Sequence, residues 1–265
     1  MKHLDRYLFY GYMAVVFVFL FLPILTIIIF SFNVDKFASL PWRGFTLRWY
    51  QNLVFDTGIL SSLENSLIVS TSVAVTSCVL GFMGAYSLSR RRFRFQDVFS
   101  GIMVSPMAVP WVILGLAMLV FLTRINLEGS LLSVWISHTV FGAPFAMLII
   151  RARLSGLPVQ YEEAGWDLGA SRLRAIWHIV IPLTLPGIIA AFLLTFTLSF
   201  DEFLIAWFVC GFQATLPVKI WEMIRSGLNP TINALGSVIF VFSMALAIIA
   251  SLISGAGKRV AKKER

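Results

Sequence analysis

The 265 residues would fill one large domain or two small ones, but 58% of them are apolar, only 13% are charged, and the mean hydropathy is +0.86. An ordinary soluble domain carries roughly 25% charged residues, which argues against a soluble single-domain enzyme, and 24 Phe with 8 Trp argue against a polar disordered chain. Cys78 and Cys210 lie inside apolar runs and outline neither a disulfide framework nor a metal site.

Six apolar segments are each long enough to cross the ~30 Å of a bilayer's hydrocarbon at about 1.5 Å per residue. The first, Phe9 to Phe32, is too long for a signal-peptide core and lacks a small-residue cleavage site, so it reads as a retained helix containing Pro23. Residues 33 to 64 form an external connection whose Trp42, Trp49 and Tyr50 suit an interfacial aromatic belt. Asn65 to Leu88 sets Ser77, Gly81 and Ala85 four apart on one face, a stripe of small residues against which a helix of the same chain is expected to pack. Val98 to Leu122 holds Pro106 and Pro110, and Leu131 to Ile150 holds His138 and Pro144; each proline removes a backbone donor and favours a kink. His138, an ionisable group within a span, is expected to hydrogen-bond to a neighbouring helix.

The connection 151–180 comes next. A short helix is expected from about Val159 to Leu168, because Pro158 suits a helix start, the acids fall in its first turns and Gly169 can take a left-handed stop. Ser171 is then placed to cap a second helix ending near Pro182. On the first helix Tyr161, Ala164 and Leu168 share a small apolar face.

The fifth segment, Leu183 to Gly211, contains Pro186, and the sixth runs from Leu235 to Ser254 beyond an external connection at 211–234. Asp201 and Glu202 lie roughly 22–24 Å along a helix counted from Pro186, past the midplane of the hydrocarbon. Neighbouring positions are about 100° apart on a helix, so at most one of these carboxylates faces a central pathway squarely. Either Asp201 or Glu202, with Trp207 for cation–π contact and Glu222 on the outer connection, is the expected route for an amine cation; the alternative is that the helix breaks here and both acids reach the outer interface.

Lys and Arg number 15 over the termini and the even-numbered connections but six over the others, which puts both ends in the cytoplasm and makes the net charge of +8 a topology signal without nucleic acid. No H-E-x-x-H, G-x-S-x-G or phosphate-binding G-x-x-x-x-G-K-[ST] occurs, and His3, His138 and His178 are scattered. The expectation is no catalytic residue, no metal and no cofactor bound by this chain, with any energy for work supplied by another polypeptide.

Glu163 and Ala164, then Gly169, then Ile179 and Pro182, stand at the spacing of the EAA loop, and the segment at about 151–182 resembles that coupling loop of permease subunits of ABC importers. Two departures are small: Gly165 replaces the second alanine, and Ile181 a leucine. Beyond the loop, Pro41 to Tyr50, Arg90 to Phe95, Leu183 to Pro186, Thr197 to Phe203 and Leu216 to Asn233 look like the second permease of spermidine/putrescine-type importers.

The resemblance implies an all-α polytopic membrane protein of six transmembrane helices, a single permease domain over 1–265 with the type I, MetI-like fold, in a bacterial inner membrane. It further implies a sister permease completing a heterodimer, a periplasmic solute-binding protein, and an ATPase dimer that uses ATP and Mg and docks on Tyr161, Glu162, Glu163, Ala164, Asp167, Leu168, Gly169 and Ala170. Related permeases carry opines, amino-acid derivatives, thiamine or ferric iron. The competing classes are an autonomous ion-coupled carrier, which would need no ATPase, and an intramembrane enzyme, which would need a nucleophile or metal constellation.

Overall fold

A computed structural model describes residues 2–35, 41–91, 94–227 and 230–263. Lys36, Arg92, Glu264 and Arg265 of the charge distribution, and parts of the segments Arg90 to Phe95 and Leu216 to Asn233, lie outside the described residues. Among those described, the chain is helical apart from an antiparallel bridge between Asn33 and Phe45. In order the helices are α1 (Lys2–Phe30), α2 (Arg48–Phe55), α3 (Thr57–Arg90), α4 (Gln96–Val104), α5 (Trp111–Arg124), α6 (Leu131–Leu154), α7 (Gln160–Asp167), α8 (Arg172–Ala175), α9 (Ile181–Phe200), α10 (Leu204–Val209), α11 (Leu216–Ser226) and α12 (Thr231–Lys263).

Five stretches are long and apolar enough to cross a membrane: Arg6–Phe30, Thr57–Arg90, Leu131–Leu154, Arg172–Phe200 and Thr231–Leu252. A sixth crossing is made by α4 and α5 if that pair, bent by 101°, counts as one span. The kink expected in the third span is thus a full break, and its prolines explain why. Ser105–Ala108 tightens into a 3₁₀ turn around Pro106, Val109 is extended at φ −80° and ψ 129°, and Pro110 starts the next helix without needing a donor.

The fifth span differs from expectation at both ends. α8 does not stop near Pro182; it passes through a π-helical turn (Ile176–Val180) into α9, and the wider turn gives the proline ring room. At the far end α9 stops at Phe200, and residues 201–203 separate it from α10.

Internal contacts divide the chain into two compact units, Met1–Leu60 with Lys219–Phe242 and Ser61–Val218 with Ser243–Arg265. In the first, the end of α1 is gripped by the segment that follows it. Phe32 stacks between Phe45 and Tyr50 at 5.0 and 5.2 Å, Trp49 donates its indole N–H to the Asn33 carbonyl at 2.7 Å, and the Tyr50 and Ser31 hydroxyls are 2.7 Å apart. Trp49 is therefore buried as a staple instead of lying in an aromatic belt, while Trp42 stays partly exposed.

The second unit has two apolar clusters. Val69, Val73, Leu114, Leu122, Val134 and Ile205 join α3, α5, α6 and α10; Ala85, Leu88, Ala146, Met147, Ile150 and Ala191 join α3, α6 and α9. The small-residue stripe meets α6 of its own chain: a Cβ on Gly81 would come within 2.7 Å of the Met147 backbone nitrogen, and one on Gly142 within 2.6 Å of the Ser77 hydroxyl. α10 settles on α5 in the same way, over Gly115, which leaves space for Phe208 and Ile205.

The loops after α5 and α10 touch backbone to backbone. Gly129 donates its N–H to the Val209 carbonyl at 3.1 Å, and Gly211, at φ +59°, would carry a Cβ only 2.6 Å from the Gly129 Cα. Gly211→Ala is expected to lower thermal stability in detergent, since the left-handed backbone alone costs about 1–2 kcal/mol before the clash is counted. Gly101→Ala, in open space within α4, should not lower the melting temperature and, by helix propensity, should raise it slightly.

Candidate functional site

The coupling segment folds close to its expected outline. α7 covers Gln160–Asp167, Gly169 turns the chain at φ +84°, and the Ser171 hydroxyl accepts from the Arg174 N–H at 3.3 Å to cap α8. Its two adjacent acids are then sorted by helix geometry, because a step of about 100° sends neighbours to different faces. Glu163 is exposed, together with Tyr161, Ala164, Asp167 and Gly169, Ala170 is half-buried, and Leu168 is 90% exposed.

Glu162 turns the other way and is 2% exposed. One carboxylate oxygen accepts from Arg90 Nε at 2.6 Å and the other from the Tyr86 hydroxyl at 2.8 Å. Arg90 also donates to the Leu157 carbonyl at 3.1 Å, so one guanidinium at the end of α3 holds both α7 and the turn that leads into it. Glu162 is consequently an anchor of α7, not part of its outward face. Gly165 shares the buried side, where a Cβ would approach the Ile179 side chain to 2.7 Å; this packing accounts for glycine in place of the second alanine. Arg90, Tyr86 and Gly165 were legible only weakly: the signal was the i, i+3 spacing of Glu162 and Gly165 on a face beside that of Tyr161, Ala164 and Leu168.

Asp201 and Glu202, just past the end of the span Arg172–Phe200, are also separated, by the break between α9 and α10. Glu202 is 2% exposed and its carboxylate is turned into the protein, accepting from Ile205 N–H at 2.9 and 3.0 Å and from Ala206 N–H at 3.0 Å. Its Oε2 also lies 3.1 Å from Nε2 of the wholly buried His138. These contacts explain why the helix breaks here, since a buried carboxylate gathers the donors that it needs. Asp201 is exposed, and one of its oxygens accepts from the Ser243 hydroxyl of α12 at 3.1 Å. Trp207 is 45% exposed and stacks on Phe203 with ring centres 6.2 Å apart.

Glu222 is exposed on α11, where it pairs with Lys219 at 3.2 Å; it belongs to the first unit, while Asp201, Glu202 and Trp207 belong to the second. His138 meets the expectation of a partner on a neighbouring helix, with Nδ1 2.8 Å from the Ser199 hydroxyl.

Spans, coupling segment and broken helices together describe a multi-pass membrane protein of the transport-permease class. The chain belongs to the family described as binding-protein-dependent transport system inner membrane component, which matches residues 77–259. It is 32% identical over 252 residues to the spermidine/putrescine transport system permease protein PotC of Escherichia coli (strain K12), covering 95% of each chain. It is 36% identical over 231 residues to the putrescine transport system permease protein PotI of the same strain, covering 84% of this chain and 82% of that one. Its fold is that of a chain in the crystal structure of a bacterial ABC transporter involved in the import of the acidic polysaccharide alginate, with a TM-score of 0.71, 18% identity and 96% of each chain covered.

Proposed function

We propose that this chain forms one half of the translocation pathway of a bacterial ABC importer for a polyamine such as putrescine or spermidine, a sister permease forming the other half. The observation that carries the reading is the likeness to a spermidine/putrescine permease over 95% of both chains. Both termini lie in the cytoplasm, by the distribution of Lys and Arg. The outward face of α7, with Tyr161, Glu163, Ala164 and Leu168, is the docking surface for an ATPase dimer, and a periplasmic binding protein delivers solute on the opposite side. ATP and Mg are used by the ATPase; this chain is a non-catalytic subunit that binds no cofactor of its own.

Closure of the ATPase dimer draws the docked α7 helices of the two permeases together. Because Arg90 ties α7 to α3, that movement passes into the membrane as a rigid rotation and exchanges an inward-facing cavity for an outward-facing one. In the pathway, Asp201 offers an exposed carboxylate to the amine cation and Trp207 a ring face. Glu202, its oxygens already committed to α10, supports Asp201 instead of meeting solute.

Asp201→Asn is the test of the pathway. In the complete transporter it should reduce putrescine uptake by about tenfold, the loss expected when one favourable charge contact disappears, while basal ATPase activity persists. Unchanged uptake would remove Asp201 from the route, and uptake confined to an anionic solute would replace the polyamine.

A further inference from the structure

His138 is a wholly buried ionisable group for which neither ATPase docking nor solute passage has a use. It sits where three elements meet. Its Nδ1 is 2.8 Å from the hydroxyl of Ser199, in the last turn of α9, and its Nε2 is 3.1 Å from Glu202, in the break that follows. The Nε2 contact is close but not aligned as a hydrogen bond. The Glu202 carboxylate in turn receives the first free N–H groups of α10, from Ile205 and Ala206.

A buried carboxylate without these donors and without a polar neighbour would be expensive, so the group holds together or not at all. Asp201 stands between Ser199 and Glu202 in the chain, one residue from the second and two from the first. With Ser199 and Glu202 both held from α6, the end of α9 and the break after it are tied to one side chain, and the Asp201 carboxylate between them is received by the Ser243 hydroxyl of α12.

We propose that His138 is a positioning residue for Asp201: through Ser199 and Glu202 it holds the α9 to α10 break in the geometry that turns the Asp201 carboxylate outward, and so sets the affinity for a cationic solute without touching it. The proposal rests on the reading of Asp201 as the pathway acid. It assigns to an imidazole on α6 a part in specificity that its burial would otherwise hide.

The test is putrescine uptake by the complete transporter carrying His138→Leu, His138→Gln, Asp201→Asn and each His138 change combined with Asp201→Asn, with the amount of inserted protein measured for each. His138→Leu should raise KM by about tenfold with the maximal rate within about twofold, and His138→Gln, which keeps a polar side chain between Ser199 and Glu202, should raise it by only about threefold. In the Asp201→Asn background neither change should raise KM further, because a residue that acts through another loses its effect when the other is gone. If His138→Leu fails to insert, the His138→Gln pair decides by the same criterion. Unchanged KM, or effects that simply add to that of Asp201→Asn, would overturn the positioning role and leave the pathway reading standing. An Asp201→Asn transporter with normal uptake would instead overturn the pathway reading itself, and the role of His138 with it.

Discussion

Arg90→Met is expected to reduce solute uptake by about tenfold or more while the chain still inserts in the membrane. The substitution leaves the Glu162 carboxylate buried beside Tyr86 with its charged partner gone, and removing one member of a buried ion pair typically costs about 3–5 kcal/mol. That cost is local to the junction of α3 and α7, so it is relieved by α7 leaving its base, not by unfolding of the spans. A second change sharpens the result. Replacing both partners, in Arg90→Met with Glu162→Leu, removes the orphaned charge and should restore part of the protease resistance of the α7 segment. Uptake should recover less than protease resistance, because Arg90 also holds the Leu157 carbonyl. Full uptake in Arg90→Met would show that the clamp does not transmit the movement of α7.

On the opposite face of α7 the expected effect is loss of the ATPase. Glu163→Lys reverses an exposed charge, and Leu168→Asp puts a charge in place of an apolar side chain that is 90% exposed in this chain alone. Either change should release the ATPase from the purified complex and cut uptake by about tenfold or more, since unpairing a group at an interface centre costs about 2–5 kcal/mol. Pull-down of the ATPase subunit with the solubilised permease measures this directly. Retention of the ATPase with full transport-stimulated hydrolysis in both variants would move docking elsewhere.

The pair Glu162 and Glu163 shows how far a single sequence carries. The position of a helix between Pro158 and Gly169, its stop and the cap at Ser171 follow from local chemistry, and the family membership follows from the long spacing of Glu163, Gly169 and Pro182. Which acid faces outward does not, because the partner that draws Glu162 inward is Arg90, 72 residues away. The same holds at Asp201 and Glu202. Residue counts put both acids on one continuous helix, with a break as the alternative; the helix does end at Phe200, and that break depends on His138 of α6 and on the backbone of α10. The third span shows the converse. Pro106 and Pro110 announced a kink, but the 101° between its halves is a tertiary result, set by α5 packing on α10 over Gly115. Trp49 and Tyr50 looked like interfacial residues by type, and only their partners Asn33 and Ser31 reveal a staple.

The central claim is ATP-driven uptake of a polyamine through this chain. It is tested most directly by reconstituting the permease with its sister subunit and ATPase in proteoliposomes, adding the solute-binding protein outside, and following radiolabelled putrescine. Accumulation that requires ATP inside, the binding protein outside and an intact α7 face, and that Asp201→Asn reduces, is the expected result. Putrescine flux that proceeds without the ATPase, or ATP-driven uptake of an anion with none of putrescine, would contradict it.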